Sequence, residues 1–282
     1  AKIAGCKELI LCTPCNQEGK INSAILFAAK LVGITKIFKV GGAQAIAAMS
    51  YGTESIPRVY KIFGPGNQYV TCAKQLVNKE GIAIDMPAGP SELAVLADNS
   101  CVPEFVAADL LSQAEHGADS QVILVSNEFT VIENVLNEIN KQIKLLSRKL
   151  IAEKALTNSK AILVNTLDEG IEILNEYAPE HLIIACKNDS ALAEKVMNAG
   201  SVFLGNYSCE SAGDYASGTN HTLPTTGYAK SYSGVSLDSF VKKITFQKLD
   251  KEGLKFIGKT IELMAQAEGL DAHKNAVSIR LK

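Results

Sequence analysis

Hydrophobic residues in the first eighty positions occur in short runs that alternate with segments of helical spacing. The strand runs are apolar throughout, as is typical of strands that are buried on both faces. The pattern predicts strands followed by breakers or turns at 8–14, 36–42 and 58–67, and helices at 22–33, 43–52 and 68–81. This alternation predicts a parallel β-sheet that is covered by helices.

A second alternating stretch begins after the segment IDMPAGPSE (84–92), whose two prolines and glycine interrupt the pattern. We expect a domain boundary at this segment. Strands are predicted at 92–98, 121–127, 160–165, 181–186 and 201–205, and helices at 103–116, 130–156, 167–178 and 190–200. These elements predict a second α/β unit, in which 130–156 is one long helix.

The remainder of the chain lacks a core of its own. Residues 213–236 are rich in Gly, Ser, Thr and Tyr and show no apolar period, and a long loop of this kind is usually functional or disordered. Residues 251–281 are predicted to form a helix, a short loop and a tail. Because this segment is too small to bury a core, we expect it to pack against another subunit.

Composition and charge exclude several classes of protein. The 282 residues carry a net charge of −2 and contain no basic run, which argues against nucleic acid as a partner. No apolar stretch is long enough to span a membrane, and no secretory signal pattern is visible, so a cytoplasmic location is predicted. The seven cysteines include the C-x-x-C pair Cys12 and Cys15, which has no second pair to complete a zinc site. We interpret them as free thiols.

The four histidines all stand beside acids, small residues or chain breaks. Asp109, Gln113 and His116 follow i, i+4, i+7 spacing on one helix face, and Gly117 is predicted to end that helix as a C′ residue. The other three histidines accompany acids, in the pairs Glu180 with His181, Asp214 with His221 and Glu268 with His273. Such a mixed nitrogen and oxygen set favours zinc over calcium. A solvated helix end at His116 and a water-facing pair at Glu180 and His181 remain open alternatives.

Two glycine turns follow predicted strands, at 39–45 (KVGGAQA) and 63–68 (FGPGNQ). Backbone N–H groups at the start of the helix after such a turn favour phosphate. Neither turn matches G-x-G-x-x-G, so the spacing leaves nucleotide binding open.

Taken together, seven motifs resemble the histidinol dehydrogenase family, and they cover nearly the whole chain in the family's order. They are FGPGNQYVT, IDMPAGPSE, DLLSQAEHGADSQ, YAPEHL, GSVFLG, SAGDYASGTNH and AEGLDAHKNAV. The resemblance implies NAD- and zinc-dependent oxidation of L-histidinol to L-histidine through L-histidinal by a homodimer. It implies two Rossmann-like parallel α/β units and a small helical C-terminal arm exchanged between subunits. The expected divisions are an NAD-binding domain at 1–91, a zinc and substrate domain at 92–235 and a dimerisation arm at 236–282.

The resemblance also implies roles for individual residues. Glu180 and His181 would be the acid–base pair, and Gln44 and Asn67 would contact NAD. The implied zinc ligands are Gln113, His116, Asp214 and His273, the last from the partner subunit. The implied substrate contacts are Ser91, Gln113, His116, His181, Asp214, His221, Glu268 and His273.

The chain departs from the family at its N-terminus, where family members are longer. The absent region supplies part of both α/β domains and a tyrosine that contacts NAD, so we interpret the chain as a C-terminal portion. Two alternatives follow from the same residues. One is a zinc hydrolase in which Glu180 activates metal-bound water, and the other is a metal-binding dimer without activity.

Overall fold

The computed structural model describes all 282 residues, and it confirms an α/β fold with parallel sheets. The chain divides into two compact units, Ala1–Phe240 and Val241–Lys282. No helix has the length and apolar character that crossing a membrane would require. The predicted division of the first unit at residue 91 stays a prediction.

The N-terminal part of the first unit contains short strands that pair two by two. Its elements are β1 (Ile10–Cys12), α1 (Ser23–Val32), β2 (Lys36–Phe38), α2 (Gly42–Tyr51), β3 (Lys61–Ile62), α3 (Gln68–Lys79) and β4 (Ala83–Ile84). Strand β1 pairs with β2 and β3 with β4, both in parallel, and no strand pairing joins the two pairs. The sequence pattern predicted one sheet here. Strands of two or three residues form too few backbone hydrogen bonds between neighbours to join into a single sheet.

The rest of the first unit is built around a five-stranded parallel sheet. Its elements are β5 (Glu92–Ala97), α4 (Pro103–Ala114), β6 (Gln121–Ser126), α5 (Phe129–Gln142), α6 (Lys149–Thr157), β7 (Lys160–Leu163), α7 (Leu167–Tyr177), β8 (His181–Ala185), α8 (Asp189–Ala193), β9 (Ser201–Leu204) and α9 (Glu210–Tyr215). The strand order is β7-β6-β5-β8-β9, with β5 in the centre. All six residues of β5 are buried, and the five that follow Glu92 form an uninterrupted apolar run, which predicted burial on both faces.

The period of two along β5 divides the core into two layers. Leu93, Val95 and Ala97 pack on one face with α4, α5 and α6. Ala94 and Leu96 pack on the opposite face with residues of α7 and Leu192 of α8. Successive side chains of a strand point to opposite faces, so a strand that is apolar at every position can support helices on both sides.

The prediction of one helix over 130–156 is wrong. The segment is broken by a 3-10 turn at Ile143–Leu145 between α5 and α6. A continuous helix of that length would extend about 40 Å, whereas a six-residue strand spans about 20 Å. The break returns the chain to the sheet, so that Ile139 of α5 and Ala152 of α6 enter the same core layer.

Three other elements differ from their predicted bounds. Helix α8 extends only over Asp189–Ala193, where a helix at 190–200 was predicted, and α9 lies partly within the predicted loop 213–236. Helix α4 ends at Ala114, and Gly117 does not have the positive φ expected of a C′ glycine. The helix instead closes with a turn in which the His116 amide donates to the Gln113 carbonyl at 3.2 Å.

The second unit contains α10 (Lys251–Ala267) and α11 (Asp271–Leu281), which follow a stretch without helix or strand at 241–250, and the predicted tail is therefore a helix. The two helices pack closely where Gly258 faces Val277 and Leu281. Only Gly258, Ala265 and Val277 are buried, as expected for a segment without a core of its own.

The parallel sheet decides where side chains can converge. Strands β5 and β8 are neighbours, with Leu93 opposite His181, so both begin at the same edge of the sheet. Helix α4 runs back from the far edge, and its C-terminal end therefore returns to the edge where the strands begin. The residues before β5 and β8 and the last turn of α4 thus lie at one edge.

Candidate functional site

Glu180 and His181 lie at the start of β8, as the sequence predicted, and both side chains are buried, so the open alternative of a water-facing pair is wrong. His181 Nδ1 lies 3.1 Å from the carbonyl oxygen of Glu92. A carbonyl only accepts hydrogen bonds, so we assign the ring proton to Nδ1. Nε2 is then left with its lone pair, and it is buried without a partner. Burial lowers the pKa of His181 and thereby favours the neutral ring.

The Glu180 carboxylate is held by the backbone of the neighbouring strand. Its Oε2 accepts a hydrogen bond of 3.0 Å from the Glu92 amide. Burial raises the pKa of Glu180 to about 8, and the nearby carboxylates of Glu92, Glu210 and Asp214 add to the increase. A carboxyl group with a pKa near neutrality can both accept and release protons in water.

The chain around Glu180 is tightly constrained. Ala178, at the end of α7, has a φ of 55°, a conformation that is uncommon for a residue other than glycine. Gly200 packs against the Glu180 backbone, where a β-carbon would lie 2.5 Å from the Glu180 carbonyl oxygen. The Ser201 amide donates to that same oxygen at 2.9 Å. These contacts fix the direction in which Glu180 and His181 leave the sheet edge.

Asp214 on α9 links the following loop to this dipeptide. Its Oδ1 lies 2.8 Å from Nδ1 of His221 and 3.8 Å from Nε2 of His181. The Asp214 side chain is 6% exposed and that of His221 is 53% exposed. A carboxylate on α9 therefore lies close to both a buried and an accessible imidazole.

A group of potential metal ligands surrounds the same carboxylate. Ligand atoms of His116, Glu210 and Asp214 all lie within 4.8 Å of one another. Glu210 is buried, and its Oε2 accepts a hydrogen bond of 2.8 Å from Ser112 Oγ. Burial raises the pKa of Glu210 to about 7 and that of Asp109 to about 6. Glu210 was not among the residues predicted from the sequence, although its i, i+4 spacing to Asp214 was a usable signal.

Gln113 is a further candidate donor to a metal. It is fully buried on α4, and neither Oε1 nor Nε2 has a hydrogen-bond partner. Leaving a buried amide unpaired costs about 1–3 kcal/mol per group. A cation would satisfy Oε1, and Gln113 lies one helical turn before His116. Imidazole nitrogen with carboxylate and amide oxygens suits zinc and similar divalent metals.

The remaining predicted residues lie outside this cluster or flank it. Ser91 directly precedes β5 and is half-buried. Gln44 is exposed in the first turn of α2, and Asn67 caps α3, its Oδ1 accepting from the amides of Tyr69 and Val70. Neither Gln44 nor Asn67 joins the hydrogen bonds around His181.

Glu268 and His273 belong to the second unit. Both are exposed, and they lie on either side of Gly269, whose φ is 69°. Glu268 ends α10, and His273 lies in the first turn of α11. Within that unit, the two predicted site residues thus lie near the single turn between its helices.

Comparison with known proteins gives consistent matches over the whole chain. A family model described as histidinol dehydrogenase matches residues 1–281. Proteins named histidinol dehydrogenase from Bacteroides fragilis (strain YCH46) and Bacteroides thetaiotaomicron are each 65% identical, over 282 and 281 residues. Each match covers 100% of this chain and 66% of the relative, so the chain spans about two thirds of their length.

A solved structure is similar to the same extent. The crystal structure of histidinol dehydrogenase from Elizabethkingia anophelis matches with a TM-score of 0.97 and 60% sequence identity. The match covers 100% of this chain and 65% of that chain. The backbone of this chain is therefore similar to the solved structure along the full length of this chain.

The ligand cluster predicts divalent metal binding that depends on its members. His116→Ala and Asp214→Asn are each expected to weaken zinc binding by more than roughly tenfold, because each removes one donor. Glu194→Gln, which changes an exposed carboxylate outside the cluster, is the matched control. Calorimetric titration of the metal-free protein with zinc measures the affinities. Equal affinities in all four proteins would contradict the assignment of this cluster.

Proposed function

The chain belongs to the histidinol dehydrogenase family, and from this premise we propose that it serves the NAD-dependent, zinc-requiring oxidation of L-histidinol to L-histidine through L-histidinal. This oxidation is the last part of histidine biosynthesis. The observation that carries the proposal is the free, buried Nε2 of His181 beside a cluster of metal-ligand side chains. The substrate is a small alcohol with an imidazole ring and an amine.

His181 is the base for the alcohol in this proposal. Its proton on Nδ1 is donated to the Glu92 carbonyl, so Nε2 can accept the O–H proton of the substrate. Loss of that proton allows hydride to leave the neighbouring carbon, which becomes the aldehyde. Since the ring is buried, little water competes for Nε2.

Glu180 is the base for the second oxidation. An aldehyde has no O–H proton, so water must add to its carbonyl carbon before a second hydride can leave. Glu180 accepts a proton from that water, and its raised pKa of about 8 suits a group that is protonated and deprotonated in each cycle. His181 returns the proton that it took from the alcohol to the aldehyde oxygen, which completes the hydrate. It can then accept a hydroxyl proton of the hydrate, and departure of hydride gives the carboxylic acid.

Zinc would be held by Gln113, His116 and Asp214 of one chain and His273 of the partner subunit. The unpaired amide of Gln113 and the close approach of His116 to Asp214 fit this donor set. When bound, zinc would fix the imidazole and amine of the substrate and so orient the alcohol carbon.

Ser91, His221 and Glu268 complete the proposed contacts with substrate. Glu210 lies close enough to act as a further ligand or as a support for the others.

NAD would be held by the N-terminal part, with Gln44 and Asn67 as contacts. Helix α2 begins without a side-chain cap and has no acidic residue in its first turn, so its N–H groups suit phosphate. Asn67 uses Oδ1 to cap α3, which leaves its Nδ2 free to donate. When bound, NAD accepts the hydride in each oxidation.

We also propose a homodimer in which the second unit is exchanged. This unit buries little by itself and exposes Phe256, Leu263, Met264 and Ile279. Exposed apolar residues of this number indicate a surface that another chain covers. A cytoplasmic location is part of the proposal, and the seven free cysteines fit a reducing compartment.

The acid–base assignment predicts that the two oxidations can be separated. His181→Asn should lower turnover of L-histidinol by roughly 10²–10⁴-fold, because the alcohol loses its base. Glu180→Gln should slow oxidation of L-histidinal more than that of L-histidinol, because only the aldehyde needs water. The rates are followed by the absorbance of reduced NAD, in protein that includes any segment preceding Ala1.

Zinc content and thermal unfolding of each variant serve as controls in this experiment. No reduction of NAD by the unsubstituted protein with zinc and L-histidinol would reject the proposed function. Hydrolytic turnover without NAD would favour a zinc hydrolase, and zinc binding without NAD binding would favour an inactive metal-binding dimer.

The proposed exchange of His273 predicts complementation between inactive subunits. His273→Ala and Asp214→Asn should each abolish activity. If His273 serves the partner's site, a mixed dimer has one site with both defects and one intact site. Refolding equal amounts together should then restore about one quarter of the sites by random pairing. Mixed samples that stay inactive, with mixed dimers present by mass spectrometry, would show that His273 does not serve the partner.

A further inference from the structure

Glu92 makes three hydrogen bonds that connect separate parts of the site. It is the first residue of β5 and is 8% exposed. Its backbone amide donates to Glu180 Oε2 at 3.0 Å, and its backbone carbonyl accepts from His181 Nδ1 at 3.1 Å. Its side-chain Oε1 accepts from the Thr226 amide at 3.0 Å. One residue therefore contacts both members of the acid–base pair and the loop that follows α9.

Thr226 is held in a strained conformation at the point of this contact. Its φ is 56°, in the left-handed region that β-branched residues rarely adopt. Such a conformation persists only where its surroundings hold it. Besides Glu92, the neighbouring Thr225 contributes, since its Oγ1 accepts from the Gly89 amide and lies 3.3 Å from Thr226 Oγ1. The end of the loop is thus fastened to the segment before β5.

This fastening restrains the residue of the loop that faces the ligand cluster. His221 lies five residues before Thr226 and reaches Asp214 at 2.8 Å. The intervening Leu223 is buried and packs closely against Gly200. A β-carbon added to that glycine would lie 3.1 Å from the Cβ of Leu223. His221 is therefore placed from both sides, by its bond to Asp214 and by the bond between Glu92 and Thr226.

The Glu92 side chain is costly where it lies. Its Oε2 is buried and has no hydrogen-bond partner. A buried carboxylate with one free oxygen is destabilising compared with a smaller or neutral side chain. Groups that reduce stability in this way are concentrated at functional sites. This loss of stability indicates that the hydrogen bond between the Glu92 side chain and the Thr226 amide serves the site.

We propose that Glu92 is a positioning residue for the reaction: its carboxylate holds Thr226, and with it the His221 loop, against the strand edge where its backbone holds Glu180 and His181. This inference rests on the proposed function, and it assigns to Glu92 no contact with substrate. The length of the Glu92 side chain is the important property, because the hydrogen bond from the Thr226 amide requires an acceptor oxygen at that distance from the backbone.

Two conservative variants separate reach from charge. Glu92→Gln keeps the length and the Oε1 acceptor but removes the charge, whereas Glu92→Asp keeps the charge but withdraws the oxygens by one methylene. A positioning role predicts that Glu92→Gln retains kcat/KM for L-histidinol within roughly threefold, and that Glu92→Asp loses at least about tenfold. The KM for NAD should stay unchanged in both. Glu169→Asp, which alters a glutamate that accepts the Asn165 amide elsewhere, is the matched control.

Hydrogen exchange gives a readout that does not depend on turnover. Amides of residues 219–227 should exchange faster in Glu92→Asp than in Glu92→Gln, while amides of β5 and β8 stay protected in both. Greater loss in Glu92→Gln than in Glu92→Asp would overturn the proposal in favour of a role for the charge. Unchanged activity and exchange in Glu92→Asp would also overturn it. If the unsubstituted protein fails to oxidise L-histidinol, the proposed function fails, and the exchange rates alone decide whether Glu92 holds the loop.

Discussion

The pairing of β5 with β8 is the interaction on which the site depends. Because Leu93 lies opposite His181, the backbone of Glu92 is adjacent to Glu180, which precedes β8, and to His181, which begins it. One amide and one carbonyl of Glu92 thereby orient a carboxylate and an imidazole. A shift of the register by one residue would turn both side chains to the opposite faces of the sheet. The chemistry of Glu180 and His181 is therefore fixed by backbone geometry.

The position of the cluster also follows from the sheet. In open parallel sheets, ligands usually bind at the carboxyl ends of the strands. Here the dipeptide lies at the amino ends, where the last turn of α4 returns with Gln113 and His116. At the carboxyl ends of β5 and β8, Asp98 accepts hydrogen bonds from the amides of Ser100 and Lys187. The candidate site itself lies at the opposite edge, which is formed by a helix end and two strand starts.

Much of this arrangement could be predicted from the sequence, because its strongest signals are local. Apolar runs identified the buried strands, and the spacing of Gln113 and His116 predicted that both lie near the end of one helix, although α4 ends at Ala114 and His116 lies in the turn that follows. The parts that failed depend on distant contacts. Glu210 had a local signal in its spacing to Asp214, but its hydrogen bond with Ser112 joins residues 98 positions apart, which local patterns do not report. The break between α5 and α6 was missed because local periodicity does not report the width of the sheet.

The central claim is that the Glu92 carbonyl fixes the tautomer of His181 and leaves Nε2 as the base. Nitrogen NMR of histidine-labelled protein measures this directly, since only four histidines contribute signals and His181→Asn identifies the one in question. At neutral pH we expect a neutral ring with hydrogen on Nδ1 and an unprotonated Nε2. A ring protonated on Nε2, or on both nitrogens, at neutral pH would contradict the account.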